Sequence, residues 1–170
     1  METNKTYPKS FSHIGITVPN IREAAKFYSE VMGWYIIMEP STVKKERETA
    51  IGQMCIDVFG EDWQEFEIAH LATSDGIGIE LVSFPHGIKE APEFSPFNTG
   101  LFHFCIQDPN IEELVAKIVA HGGEQRMPIR EYYPNDKPYK MCYVQDPFGI
   151  VFEVYTHSYE LTYSSGAYAK

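Results

Sequence analysis

Two stretches of the chain repeat at an offset of 90 residues, and that repeat limits the folds open to it. HIGITVPNIREAAKFYSEVMGW, from His13, aligns without a gap on HFCIQDPNIEELVAKIVAHGGE, from His103. The offset pairs His13 with His103, Ile16 with Ile106, Pro19-Asn20-Ile21 with Pro109-Asn110-Ile111, Glu23 with Glu113 and Gly33 with Gly123. Such a match reads as two copies of one structural unit.

Each copy has the same local grammar. A short apolar run (Ile14 to Val18; Phe102 to Ile106) meets Pro-Asn, where Asn20 or Asn110 is placed to cap a helix, with Glu23 or Glu113 three residues on. Ile21, Ala24, Ala25, Phe27, Tyr28, Val31 and Met32 then recur at helical spacing, as do Ile111, Leu114, Val115, Ile118 and Val119. Gly33 and Gly122-Gly123 stop the two helices. Strand patterns follow and end in hairpins: Phe66 to Thr73 and Ile77 to Phe84 flank Ser74-Asp75-Gly76, while Tyr139 to Gln145 and Ile150 to Thr156 flank Asp146-Pro147-Phe148-Gly149. The prediction is an α+β chain of two βαβββ modules, at 11–84 and 100–157, with a linker at 85–99 and a tail at 158–170. Prolines Pro85, Pro92 and Pro96 mark the linker as a surface strap. Glu39 to Trp63 breaks the symmetry, and its run Lys44-Lys45-Glu46-Arg47-Glu48 reads as a solvated face or loop.

Composition removes several classes of partner. With 14 Lys+Arg against 24 Asp+Glu the net charge is −10, which repels phosphate backbones and anionic headgroups, so neither nucleic acid nor membrane is expected. Met1 to Ser10 lacks the apolar run of a signal peptide, and a cytoplasmic location is expected. Cys55, Cys105 and Cys142 show no close spacing and read as buried free thiols rather than as a disulfide framework. Aromatics make up 14% of the chain; Trp34, Trp63, Phe84, Tyr133, Tyr143 and Tyr155 are placed to fill a core or to line a cavity.

Strand parity singles out four polar residues. Leu101, His103, Cys105 and Gln107 share one face and Phe102, Phe104 and Ile106 the apolar one; His13 likewise stands opposite Ile14, Ile16 and Val18. Glu80 lies between Ile79 and Leu81, and Glu153 between Phe152 and Val154. A wet sheet face explains any one of them, but each copy carries one His on its first strand and one Glu on its last. Faces that converge would gather His13, Glu80, His103 and Glu153 as N and O donors suited to one divalent metal: Ni, Co, Fe, Mn or Zn.

That order of residues, with FYSEVMGW closing the first helix and DPFGIVFEVY near the end, resembles the vicinal oxygen chelate superfamily of glyoxalase I, methylmalonyl-CoA epimerase and extradiol dioxygenases. The resemblance spans residues 11 to 157. It implies the glyoxalase/bleomycin resistance/dioxygenase fold, a curved mixed sheet around a metal site, and a small substrate chelated through vicinal oxygens. It also implies a homodimer.

The chemistry implied first is glyoxalase I-like lyase or isomerase proton transfer, with Glu153 as base and Glu80 as its counterpart. The epimerase resemblance adds Glu67 and His70 on the preceding strand: a two-residue turn at Asp75-Gly76 puts Glu80 opposite Leu71, and a three-residue loop puts it opposite His70. Thr17 and Phe84 stand where glyoxalase I-like members carry an Arg and an Asn that hold glutathione. The alternative is an Fe(II) ring-cleaving dioxygenase using His13, His103 and Glu153, with Tyr143 near the substrate. A third reading is a binding protein that sequesters a small molecule without catalysis.

Overall fold

The computed structural model describes residues 7–87, residue 89 and residues 94–164. Pro92 of the linker, the first six residues and 165–170 of the tail lie outside the described residues. The chain divides into two compact units between residues 88 and 89.

The first unit runs β1 (His13–Thr17), α1 (Ile21–Met32), β2 (Tyr35–Lys44), α2 (Ala50–Phe59), β3 (Glu65–Ala72) and β4 (Gly78–Ser83). Its sheet is ordered β1-β4-β3-β2, with β1 parallel to β4 and the other neighbours antiparallel. The second unit runs β5 (Phe104–Gln107), α3 (Ile111–Ala120), β6 (Glu124–Gln125), β7 (Arg130–Tyr133), β8 (Lys137–Gln145), β9 (Val151–Tyr155) and α4 (Tyr159–Ser164). Its sheet repeats the plan, β5-β9-β8-β6, with β5 parallel to β9. β6 and β7 both pair antiparallel with β8, so together they occupy the place that unbroken β2 takes beside β3. Both sheets are mixed and open, as the α+β reading requires.

Local signals place the first helix as read. The Asn20 side chain accepts from Arg22 N at 3.1 Å and from Glu23 N at 3.2 Å, and Gly33 closes the helix at φ 69°. α1 buries Ile21, Ala24, Ala25, Phe27, Tyr28 and Val31. Tyr28 stacks on Trp34 at 5.0 Å, which places Trp34 in the core rather than beside a cavity. The second helix departs from its copy. Asn110 makes no side-chain cap; Asp108 instead accepts from Asn110 N at 2.7 Å, an aspartate that replaces Val18 of the first repeat. Val119, counted as apolar face, is exposed, because the stripe of α3 is only Ile111, Leu114, Val115 and Ile118 wide.

The symmetry-breaking stretch holds a helix that the charge run hid. Thr49 caps α2 by accepting from Gly52 N at 3.1 Å, and Cys55 and Ile56 pack with Trp63, Phe66 and Val82 in a core cluster that Val43, Ile68 and Phe84 flank. Lys45 and Arg47, read as solvated, both pair with Glu61, at 2.7 and 2.6 Å, and so tie the connection between β2 and α2 to the loop after the helix.

Candidate metal centre

Register decides which side chains share a face. Thr73 N donates to Ile77 O at 2.9 Å, so Ser74-Asp75-Gly76 is a three-residue loop, with Gly76 at φ 86° taking the left-handed conformation that such a loop needs. His70 therefore stands opposite Glu80, and Gly15 flanks Glu80 on the other side. Ile68, Val82 and Phe66 follow on the same face; Ile79, Leu81, Ala69 and Leu71 point the other way and are buried. Glu67 has the parity of Ala69, and its carboxylate lies 3.8 Å from Arg22 of α1. Of the two epimerase-like candidates, then, His70 shares the Glu80 face and Glu67 does not; the odd-numbered loop sets that parity.

His70 Nδ1 is 4.0 Å from Glu80 Oε2, both side chains being about one-third exposed. His13 begins β1 beside Gly78, and a Cβ added at Gly78 would stand 2.9 Å from the His13 Cβ. Glycine at 78 is what gives the imidazole its room. The His13 Nδ1 lies 3.1 Å from Ser12 Oγ.

The second unit repeats this register. Cys105 and Tyr143 flank Glu153 as Gly15 and His70 flank Glu80. His103 Nε2 is 3.0 Å from Glu153 Oε2, and Glu153 is 8% exposed. Its neighbours on the strand, Phe152 and Val154, are fully buried. Burial first, then a hydrogen bond to Glu153 and its charge, raise the Tyr143 phenol well above its ordinary pKa. Burial and then the Glu153 charge push the Cys105 thiol up to about 12, so both groups remain protonated beside the carboxylate at neutral pH. Cys105 was expected to be buried; as a residue it is exposed on β5, the edge strand of its sheet, and its thiol donates to Ile106 O at 3.5 Å. Strand parity put Cys105 on the face of His103 but did not give it a role, and the cysteine on α2 did not stand out in the sequence. The register partner of Glu153, one strand over, was the signal for Cys105.

Phe102 does not follow the predicted alternation. β5 starts only at Phe104, so Phe102 is released from strand geometry and stacks on Tyr143 at 5.8 Å, with its edge to the His103 ring at 4.5 Å. A cavity of about 290 Å³ opens beside His103, between residues 94–104 and 149–151.

The donors thus come as pairs, one to a unit. Among the described residues no three His, Cys, Asp or Glu side chains lie close enough together to hold an ion. The second pair fits a metal on two observations. Cis ligands at about 2.1 Å from one ion stand about 3 Å apart, the spacing of His103 Nε2 and Glu153 Oε2. His103 Nδ1 is buried without a hydrogen-bond partner, so Glu153 is the one polar group that accounts for the imidazole's place among the described residues, and the ring's second nitrogen is left unsatisfied.

On the Glu80 face, α2 closes the Phe66/Val82 end. Phe59 meets Trp63, Phe66 and Phe84 edge to face at 6.1, 5.4 and 5.3 Å. Burial first, and then the Glu80 charge, raise the pKa of the Cys55 thiol on α2. In the second unit α4 brings tyrosines to the corresponding end: Tyr163 Oη is 3.0 Å from Tyr155 Oη, and Tyr133 donates to Thr162 O. Trp63, Tyr133 and Tyr155 thus belong to these two end walls. His157, at the end of β9, lies against Tyr139 at 4.2 Å between ring centroids.

The family model described as Glyoxalase/Bleomycin resistance protein/Dioxygenase superfamily matches residues 10–154. Among solved structures, a glyoxalase family protein from Bacillus cereus aligns at TM-score 0.70 and 23% identity, over 91% of this chain and 97% of that one. The fosfomycin resistance protein FosX from Listeria monocytogenes, crystallised with Mn(II) and sulfate, aligns at 0.56 and 15%, over 91% and 97%. A glyoxalase I mutant from Zea mays aligns at 0.57 and 16%, over 87% of this chain and 45% of that one. No curated protein matches the chain in sequence.

Proposed function

The chain belongs to the glyoxalase/bleomycin resistance protein/dioxygenase superfamily, and from that premise we propose that it is a metal-dependent lyase or isomerase of glyoxalase I type. Its substrate is a small molecule with vicinal oxygens. The observation that carries this reading is the repeated His, at the start of β1 and just before β5, and Glu on the last strand of each unit, closed to 3.0 Å at His103 and Glu153.

His13, Glu80, His103 and Glu153 would hold one divalent ion, Ni, Zn, Co, Mn or Fe. Mn(II) in FosX supports this class of ion. When bound, such an ion supplies Lewis-acid polarisation of a substrate oxygen. The chain supplies proton transfer. Glu153 takes the proton from the carbon beside the chelated oxygens, and Tyr143, its register partner on β8, flanks the carboxylate. Buried at the centre of β9, Glu153 is held by its strand neighbours rather than by solvent. Glu80, with His70 opposite, serves as the counterpart that returns the proton. Four donors on one ion require a pair from each repeat, gathered in one chain or in a homodimer.

Elemental analysis of protein purified without chelator or affinity tag tests the reading. About one Ni, Co, Zn, Mn or Fe per chain, lost on His103→Ala, supports it. No metal bound and none taken up removes it and leaves a binding protein. The position of Tyr143, 5.3 Å from His103 between ring centroids, favours one second reading, ring-cleaving dioxygenase. Oxygen-sensitive iron with catechol turnover would select that one.

A further inference from the structure

The helix that breaks the repeat lies on the face that carries Glu80. β3 and β4 carry His70 and Glu80 side by side; two residues on stand Ile68 and Val82, and beyond them Phe66 and Phe84. α2 and Trp63 pack on that far end. At about 3.3 Å per strand residue, the rings of the wall begin within roughly 13 Å of Glu80. Nothing in the repeat requires this cover: the other copy has no residues equivalent to 50–59, and the same end of its sheet meets a tyrosine-bearing helix instead.

The wall has a definite chemistry. Phe59, Phe66 and Phe84 present hydrocarbon only, and Phe59 remains 41% exposed while three rings of the cluster meet its edges. The polar group of Trp63 is already engaged, its Nε1 donating to Gly60 O at 3.1 Å. Lys45 and Arg47, the cations leading into α2, are both paired with Glu61. An anionic tail, such as the carboxylates of a thiol peptide or a phosphonate, finds no counterion in this wall, whereas an uncharged ring finds edge-to-face partners.

We propose that α2 is a specificity element: with Phe59 and Phe84 it selects substrates whose chelating oxygens are joined, through a spacer of two or three atoms, to an uncharged apolar group, preferably an aromatic ring. The proposal rests on the metal-chelate reading of Glu80 and deepens it.

Three hydroxamates share one chelating head and differ in the tail: acetohydroxamate, 3-phenylpropanohydroxamate and the monohydroxamate of glutaric acid. Calorimetric titration of each into the full-length Zn(II)-loaded protein reads the tail alone. The phenyl compound binds roughly tenfold or more tighter than acetohydroxamate, the scale of burying one ring. The glutaric compound binds no tighter than acetohydroxamate. Phe59→Ala, at a partly exposed position, reduces the phenyl advantage several-fold with circular dichroism unchanged, and Phe59→Leu recovers part of it. Magnetisation transfer in NMR runs from the probe's phenyl protons to the rings of Phe59 or Phe84. Equal affinity for all three compounds, preference for the anionic tail, or a phenyl advantage untouched by Phe59→Ala overturns the specificity element and leaves the chelate site standing. Binding of none of the three overturns both.

Discussion

Glu153 is the residue on which the proposed chemistry turns, because it alone among the four donors is buried as a whole residue. Glu153→Gln keeps size and hydrogen-bonding capacity while removing the basic oxygen. Turnover falls by about 10²–10⁴-fold with the fold intact by circular dichroism; near-wild-type turnover in a folded variant removes Glu153 as the base. A second residue-scale effect comes from a position with no functional group. Gly78→Ala sets a new Cβ 2.9 Å from the His13 Cβ. The chain there must shift, so metal retention on dialysis falls more than thermal stability does. Retention equal to wild type would mean that His13 needs no such clearance. The candidate donors were legible in the sequence, since repetition of His and Glu at matching positions does not depend on knowing the strands' partners, and the structure brings His103 and Glu153 to 3.0 Å. Cys105, Cys55 and Phe102 were not. The first two acquire their neighbours from register and from an inserted helix, and the third from a strand that begins two residues later than its apolar pattern implies.

Among the elements, α2 shows what local pattern reading loses. Thr49 and Gly60 bracket ten residues as cap and stop, the usual boundary signals of a helix, yet the sequence reading of this stretch stops at its departure from the repeat and at the charge run of Lys44 to Glu48. The hairpins and both repeated helices were readable because their signals are local; which side α2 covers was not, because it depends on contacts to Phe66 and Val82 in later strands. The helix is seated tightly: a Cβ at Gly52 would stand 1.9 Å from the Glu46 carbonyl oxygen. Gly52→Ala is therefore destabilising by about 1–3 kcal/mol despite alanine's better helix propensity, and denaturant unfolding reads this directly. The Lys45 and Arg47 hydrogen bonds hold the Glu61 carboxyl below its ordinary pKa. A depressed carboxylate contributes stability that is present above its unfolded pKa and is lost as pH falls through the folded one. Between about pH 5 and pH 3, amide exchange in α2 accelerates in the wild type relative to Glu61→Gln, in which this contribution is absent at every pH. The contribution is small, since the pair is solvent-exposed. Identical pH profiles in the two proteins would show that Glu61 does not tie down the helix.

For the molecule as a whole, the proposed metal would be the largest lever on stability. An ion that binds only the folded chain at about 100 times its Kd adds about 2.7 kcal/mol. Chelator treatment therefore lowers Tm, and His103→Ala abolishes the difference; a Tm indifferent to chelator in metal-loaded protein counts against the site. Solution mass with and without the ion shows whether one chain or two complete the donor set, and a monodisperse monomer counts against the homodimer. Among the described residues no helix is long and apolar enough to cross a membrane. The strand order has a further consequence for how such a chain comes into being. In each unit the first strand lies parallel to the last, so His13 pairs alongside Gly78 and Cys105 alongside Glu153 only after the whole unit has been synthesised. Hairpins and helices close early, and the long-separation parallel pairing closes last. A nascent chain on the ribosome thus carries histidine and glutamate as strangers until the final strand of each half emerges. On the chelate reading, the donors for an ion would arrive in two instalments, the first when β4 clears the exit tunnel and the second with β9.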